Sequence, residues 1–169
     1  MADANKRSAA VTGAGGGLGR DIALGLAAKN YRVFGTAMTP EEIADIKQAS
    51  GGAVTLTRCD ITDEAAVKSW ASEVGAESGG GLDLLISNAG ILTPGPLEVL
   101  PLSAIRREFD VNVFGALAVV NPFFPHCGRR AGESCRSAPG PPACRFHSTG
   151  RPARQRPLSM HSRPSTAPS

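Results

Sequence analysis

Residues 12–19, TGAGGGLG, constrain the fold of this chain more than any other stretch. A short apolar run of strand character, Ala9-Ala10-Val11, precedes them. Residues 20–29 follow with helical spacing, Ile22, Leu26 and Lys29 falling on one face and Leu18 lying a turn earlier. A strand, a glycine turn and a helix make the first βα unit of a nucleotide-binding α/β fold. The physical reason is specific. Free backbone N–H groups and the positive end of the helix dipole face whatever sits at the turn, and they favour a phosphate. Glycines let that backbone come close, because a Cβ would clash.

Downstream, the chain alternates helices and strands. Residues 31–37 read as a second strand. Thr39, Pro40 and Glu42 then start a helix: Thr39 is the N-cap, Pro40 suits the first position and Glu42 closes a capping box. Ser50-Gly51-Gly52 ends it, and residues 53–59 form the third strand. Asp60 and Asp63 follow, Asp63 suiting the next helix cap. That helix runs over residues 65–74 with Val67, Trp70, Ala71 and Val74 inward. Residues 82–86 are apolar on both faces, as a buried parallel strand requires, and end in Ser87-Asn88-Ala89-Gly90. Residues 97–109 read as mainly helical and lead into Val111-Asn112-Val113-Phe114-Gly115. Cys59 reads as a small buried strand residue, since no helper base accompanies it.

Four of these motifs, in this order, resemble the short-chain dehydrogenase/reductase family over residues 7–125. They are T-G-x-x-x-G-x-G at Thr12, Gly13, Gly17 and Gly19, the Asp at Asp60, N-A-G at Asn88, Ala89 and Gly90, and V-N-V-x-G around Asn112. Ser87 stands where the family usually has a second Asn. The resemblance implies a Rossmann-like, doubly wound parallel sheet, here truncated after about four strands, with a tail of irregular basic sequence. It implies a dinucleotide site formed by Thr12, Gly13, Gly17, Leu18, Gly19, Met38, Asp60, Ile61, Asn88, Ala89 and Gly90, with Asn112 as a catalytic residue of the proton relay. In such folds an acidic residue after the second strand favours NAD. Ala37, Met38 and Thr39 offer no carboxylate, so the sequence leans to NADP over NAD. In intact relatives the substrate is a small alcohol or carbonyl, and the helix carrying the Asn packs in a homo-oligomer interface.

The resemblance ends near residue 125. The family continues into a fifth strand ending in a catalytic Ser, then a helix carrying Tyr-x-x-x-Lys. The only tyrosine in the 169 residues is Tyr31 and the last lysine is Lys68, so that pair is absent. Composition changes at the same place. Residues 1–121 carry a charge balance of −4 and residues 122–169 one of +7, all from arginine. The net +3 is therefore no argument for nucleic-acid binding by the folded part. Cys127, Cys135, Cys144 and His147 lack the paired spacing of a zinc site, so no metal is expected. The expected division is a nucleotide-binding domain over residues 1–125 and a disordered tail over 126–169. No apolar run is long enough for a bilayer, and the first residues lack a signal-peptide core, so a cytoplasmic setting is expected.

Three functions remain open at this point: an NAD(P)-dependent oxidoreductase lineage, a non-catalytic dinucleotide-binding module, or the product of a displaced reading frame. The last has its own sequence signal. Taking the last base of each codon with the first two of the next turns residues 132–135 into G-R-[IV]-[VLM], as family members have in the fifth strand. Gln155 and Arg156 can then encode Lys, although Arg151 and Pro152 cannot encode Tyr. A frame displacement predicts a disrupted frame in the codons for residues 122–132; independent reads with an unbroken frame would exclude it.

Overall fold

The structure, a computed structural model, describes residues 6–79 and 81–126 and the backbone of 146–148. Strands β1 (Ser8–Val11), β2 (Arg32–Ala37), β3 (Val54–Arg58) and β4 (Leu84–Ser87) alternate with helices α1 (Gly17–Ala28), α2 (Pro40–Ala49) and α3 (Glu64–Glu77). After β4 a loop leads to α4 (Leu102–Phe109), a π-helical segment (Asp110–Gly115) and α5 (Ala116–Phe123), which continue one another. A short β5 (Phe146–Ser148) completes a parallel sheet in the order β3-β2-β1-β4-β5. Parallel neighbours need a crossover each time, and the helices supply it.

Strand alternation divides the core in two. Ala10, Phe34 and Leu85 point to one face, against Val67, Trp70, Ala71 and Val74 of α3 and Val119 and Phe123 of α5. Their chain neighbours Val11, Val33 and Ile86 point to the other, against Ala23 of α1 and Ile46 of α2. The sheet is therefore covered on both sides, which explains why its strands read as apolar runs. Trp70 meets Phe123 edge to face, with ring centroids 4.7 Å apart at 65°.

The helix starts follow the sequence reading closely. Thr39 Oγ1 accepts from the Glu42 N–H at 3.3 Å, and Glu42 Oε2 accepts from the Thr39 N–H at 3.2 Å. Asp63 Oδ1 accepts from the Ala65 and Ala66 N–H groups.

Three expectations need correction. In α1 the fully buried residues are Gly19 and Ala23, while Ile22 and Leu26 pack at the margin of the core and Leu18 is 59 % exposed. The helix lies so close to the glycine turn that only its smallest side chains fit beneath it. Residues 97–100 form a turn on the Pro96 carbonyl, and α4 begins only after Pro101. Finally, β4 is not an edge. Leu85, Ile86 and Ser87 pair with Phe146, His147 and Ser148 of β5, which supplies partners for N–H and C=O groups that an edge strand leaves open. The rest of the arginine-rich segment, including Cys127, Cys135, Cys144 and the displaced-frame motif, lies outside the described residues.

Among the described residues nothing covers the outer side of the last helices. Leu102, Phe109, Phe114, Leu117 and Phe124 are each more than half exposed. Among the described residues no helix is long and apolar enough to cross a membrane.

Because Phe123 is fully buried and packs edge to face on Trp70 where α5 meets α3, Phe123→Ala is expected to cost about 3–5 kcal/mol, read by denaturant unfolding of the full chain. A loss below about 1 kcal/mol would show that α5 is not docked on the sheet.

Candidate functional site

The turn between β1 and α1 is built from glycines with different jobs. Gly13 and Gly17 have φ of +64° and +52°, a region that L side chains rarely adopt. Gly19 is needed for space: a Cβ there would lie 2.1 Å from the Gly13 carbonyl oxygen and 2.4 Å from Asn88 Nδ2. The turn is fixed from two sides. The Gly13 N–H donates to Thr36 Oγ1 of β2 at 2.9 Å, and the Ala14 N–H donates to the Thr36 carbonyl at 2.8 Å. From β4, Asn88 Nδ2 donates to the Thr12 and Gly13 carbonyls at 3.1 and 3.3 Å.

Helix α1 starts at this turn without a cap. Its N-cap is Gly16, which has no side chain to offer, and its first turn holds no acidic residue. An uncapped helix start leaves N–H donors free for a ligand. They border a cleft of about 360 Å³ at the C-terminal ends of β1, β2 and β4.

Eight of the twelve sequence-predicted site residues line this cleft: Gly13, Leu18, Met38, Asp60, Ile61 and the Asn88-Ala89-Gly90 run. The other four support it. Thr12 is fully buried and its Oγ1 accepts from the Asn88 and Ala89 N–H groups at 2.9 and 3.0 Å. Gly17 and Gly19 shape the turn behind the lining. Asn112 grips the Ile91 peptide group on both sides, its Oδ1 accepting from the Ile91 N–H and its Nδ2 donating to the Ile91 carbonyl, each at 2.8 Å. Both polar ends of its side chain are thereby committed to the loop after β4, and it acts on the cleft by positioning that loop. The π-helical segment carries it there, and Gly115 in the same segment lets Ile61 pack close, where a Cβ would come within 2.9 Å of Ile61 Cγ1.

Sequence reading missed Thr36, Glu42 and Arg107, all of which line the cleft. Glu42 is the one that matters electrostatically. Its Oε2 accepts from the Met38 N–H at 2.9 Å as well as from Thr39, so a carboxylate does sit at the end of β2 although residues 37–39 carry none. The capping box held that information, because closing it folds the Glu42 side chain back over the preceding strand end. Asp60 Oδ1 accepts from the Thr62 N–H and hydroxyl. Cys59 lines the cleft floor with its thiol pushed up to about 11, first by burial and then by the Asp60 charge, so it stays a neutral thiol at ordinary pH. Among the described residues no group of His, Cys, Asp and Glu side chains could hold a metal ion.

An open parallel sheet covered by helices on both faces, with an uncapped helix start at its C-terminal edge, defines a Rossmann-like α/β fold. Comparison with known proteins narrows this. Residues 7–133 match the family model described as short chain dehydrogenase, and the chain belongs to that family. It is 32% identical over 133 residues to "Uncharacterized oxidoreductase YusZ" of Bacillus subtilis (strain 168), covering 76% of this chain and 46% of that protein. It is 35% identical to "Retinol dehydrogenase 8" of Bos taurus, covering 77% and 43%. Among solved structures, an NADPH-bound carbonyl reductase from chicken fatty liver superposes with a TM-score of 0.70 at 28% identity, covering 76% of this chain and 51% of that one. The chain thus spans about half the length of these relatives.

Asn112→Ala should release the loop after β4. Two hydrogen bonds at about 0.5–1.5 kcal/mol each predict a loss of about 1–3 kcal/mol in global stability, with faster amide exchange at Ile91. Unchanged exchange there would show that the loop is held by other contacts.

Proposed function

We propose that the cleft holds a dinucleotide, NAD(P)(H), and that this chain binds it without turning over a substrate. One observation carries the proposal: the uncapped start of α1 opens into a cleft that also gathers Asp60 and the Asn88-Ala89-Gly90 run. The fit to the group is good. The N–H groups around Gly15, Gly16 and Leu18 suit a pyrophosphate, Asp60 with Ile61 suits an adenine edge, and the loop from Asn88 to Ile91 borders the nicotinamide end. When bound, the dinucleotide supplies hydride transfer between an alcohol and a carbonyl. The residues of this chain bind it, exclude water and hold the loop after β4.

The lineage reading is an NAD(P)-dependent oxidoreductase acting on small alcohols or carbonyls, as the names of the relatives indicate for those proteins. Proton transfer in that chemistry rests on a Ser and a Tyr-x-x-x-Lys pair. Ser148 stands beside Ser87 in the sheet register, and no catalytic role is assigned to it. No tyrosine follows it, and no lysine follows Lys68. A tyrosine is needed to pass the proton and a lysine to lower its pKa, so binding without turnover is the consistent reading. Asn112 keeps its positioning task but has no relay to join. The exposed apolar side of α4 and α5 supports a homo-oligomer contact like that of intact relatives.

Titration of the purified full chain with NADH and NADPH, followed by nucleotide fluorescence or calorimetry, tests the site. Saturable binding is expected, weakened at least about tenfold in Gly19→Ala, because a Cβ at that position meets the turn backbone. Absence of binding by a folded wild-type chain would overturn the proposal. Alcohol oxidation at a rate typical of the family would overturn the inactive reading.

A further inference from the structure

We infer that Glu42, five residues beyond the end of β2 where a selectivity carboxylate is usually sought, makes this cleft select NAD(H) against NADP(H). The inference rests on the dinucleotide reading above and deepens it.

The carboxylate lies at the C-terminal end of β2, within the cleft lining beside Met38, Ala37 and Gly15. Oε2 already accepts from the Met38 and Thr39 N–H groups at 2.9 and 3.2 Å. Those are the backbone donors that a phosphate arriving at this corner would use. A 2′-phosphate must therefore displace a bonded anion or sit beside it, and either is unfavourable. A ribose with free hydroxyls donates to a carboxylate instead, and Glu42 keeps acceptor capacity on its other oxygen.

Gly15 supplies the second, independent observation. Its backbone conformation needs no glycine, since its φ is not in the left-handed region. Its smallness is needed for Glu42. A Cβ at position 15 would lie 2.6 Å from Oε2, 2.8 Å from Cδ and 2.9 Å from Cβ of Glu42. The second glycine of the run, Gly15, thus leaves the space in which the carboxylate is seated.

The remaining charges do not offset it. Glu42, Asp60 and Arg107 are the charged residues lining the cleft. Arg107 lies on α4 and also lines a second recess with Asp60 and Ile61, to which no residue of β2 contributes. Arg20 is engaged by Asp45 at 3.1 Å. Arg58 stands beside Ala37 in the sheet register but is not part of the lining. The net charge at the β2 corner is negative, and a dianionic phosphate is repelled there.

The test measures NADH and NADPH affinity for the full chain and three variants: Glu42→Gln, Gly15→Ser and Glu41→Gln. Glu42→Gln keeps the shape and the amide contacts but removes the charge. Gly15→Ser displaces the carboxylate while leaving it in the sequence. Glu41→Gln removes a neighbouring exposed charge that does not line the cleft. The wild-type chain is expected to bind NADH more tightly than NADPH, and the first two variants to shift that ratio toward NADPH by roughly tenfold. Glu41→Gln should leave it unchanged. A wild-type preference for NADPH, a ratio unmoved by both Glu42→Gln and Gly15→Ser, or an equal shift in Glu41→Gln would overturn the inference while leaving the dinucleotide site standing. A folded chain that binds neither nucleotide would remove the site on which it rests.

Discussion

A fully buried hydroxyl holds the two halves of the nucleotide half-fold together. Thr12 Oγ1 sits where β1 ends and accepts from two consecutive N–H groups where β4 ends, at 2.9 and 3.0 Å. The Asn88 side chain returns the tie by donating to the Thr12 and Gly13 carbonyls. Leaving a buried N–H unpaired costs about 1–3 kcal/mol, so two such groups amount to a large part of the stability of a domain this size. The arrangement fixes the height at which the glycine turn meets α1, and hence where the free helix donors point. Leu18, Asp60 and Ala89 can converge on one cleft because that height is fixed.

The tie also explains why the site is made of backbone more than of side chains. Gly19 leaves room for the Gly13 carbonyl and Asn88, and Gly115 leaves room for Ile61. Each lets a neighbouring group, the Gly13 backbone and Asn88 amide at one and the Ile61 side chain at the other, come where a Cβ would not fit. Side chains are then used as clamps: Thr36 on the turn, Asn112 on Ile91, and Glu108 on the Thr93 N–H. A cleft built this way is rigid where the diphosphate would lie and less so along residues 91–100, which turn on Pro96 and expose Leu92, Leu97 and Val99.

Most of the fold was legible in the sequence because local chemistry and global topology agree here. The capping box at Thr39 and Glu42, the cap at Asp63 and the inward face of Trp70, Ala71 and Val74 are local signals, and the structure keeps them. The errors have a common cause. Leu18 lies a turn before the apolar positions of α1 and was also expected at the dinucleotide site; the structure puts it in the cleft lining and not in the core. An open edge at β4 was expected from the truncation after about four strands, where the resemblance ends, and that reading did not foresee a three-residue strand from a distant arginine-rich segment. Glu42 was read as a capping residue alone. Its distance from the strand end in sequence hid its proximity in space. Residue type marks what a side chain can do, but the site is set by which strand ends the sheet order places side by side.

That sheet order separates binding from chemistry. Every residue lining the cleft comes from positions 13–111, and the four strands whose ends meet there, β1 to β4, lie between Ser8 and Ser87. The closing contacts, Thr12 to Asn88 and Asn112 to Ile91, lie between residues 12 and 112. The contacts that shape the cleft therefore involve no residue after 112, although α5 covers one face of the sheet and β5 pairs with β4. Tyr31 is the only tyrosine of the 169 residues and Lys68 the last lysine. The proposed binding and the proton transfer of the family thus rest on different residues, and those of the first are the ones that the sheet order brings together.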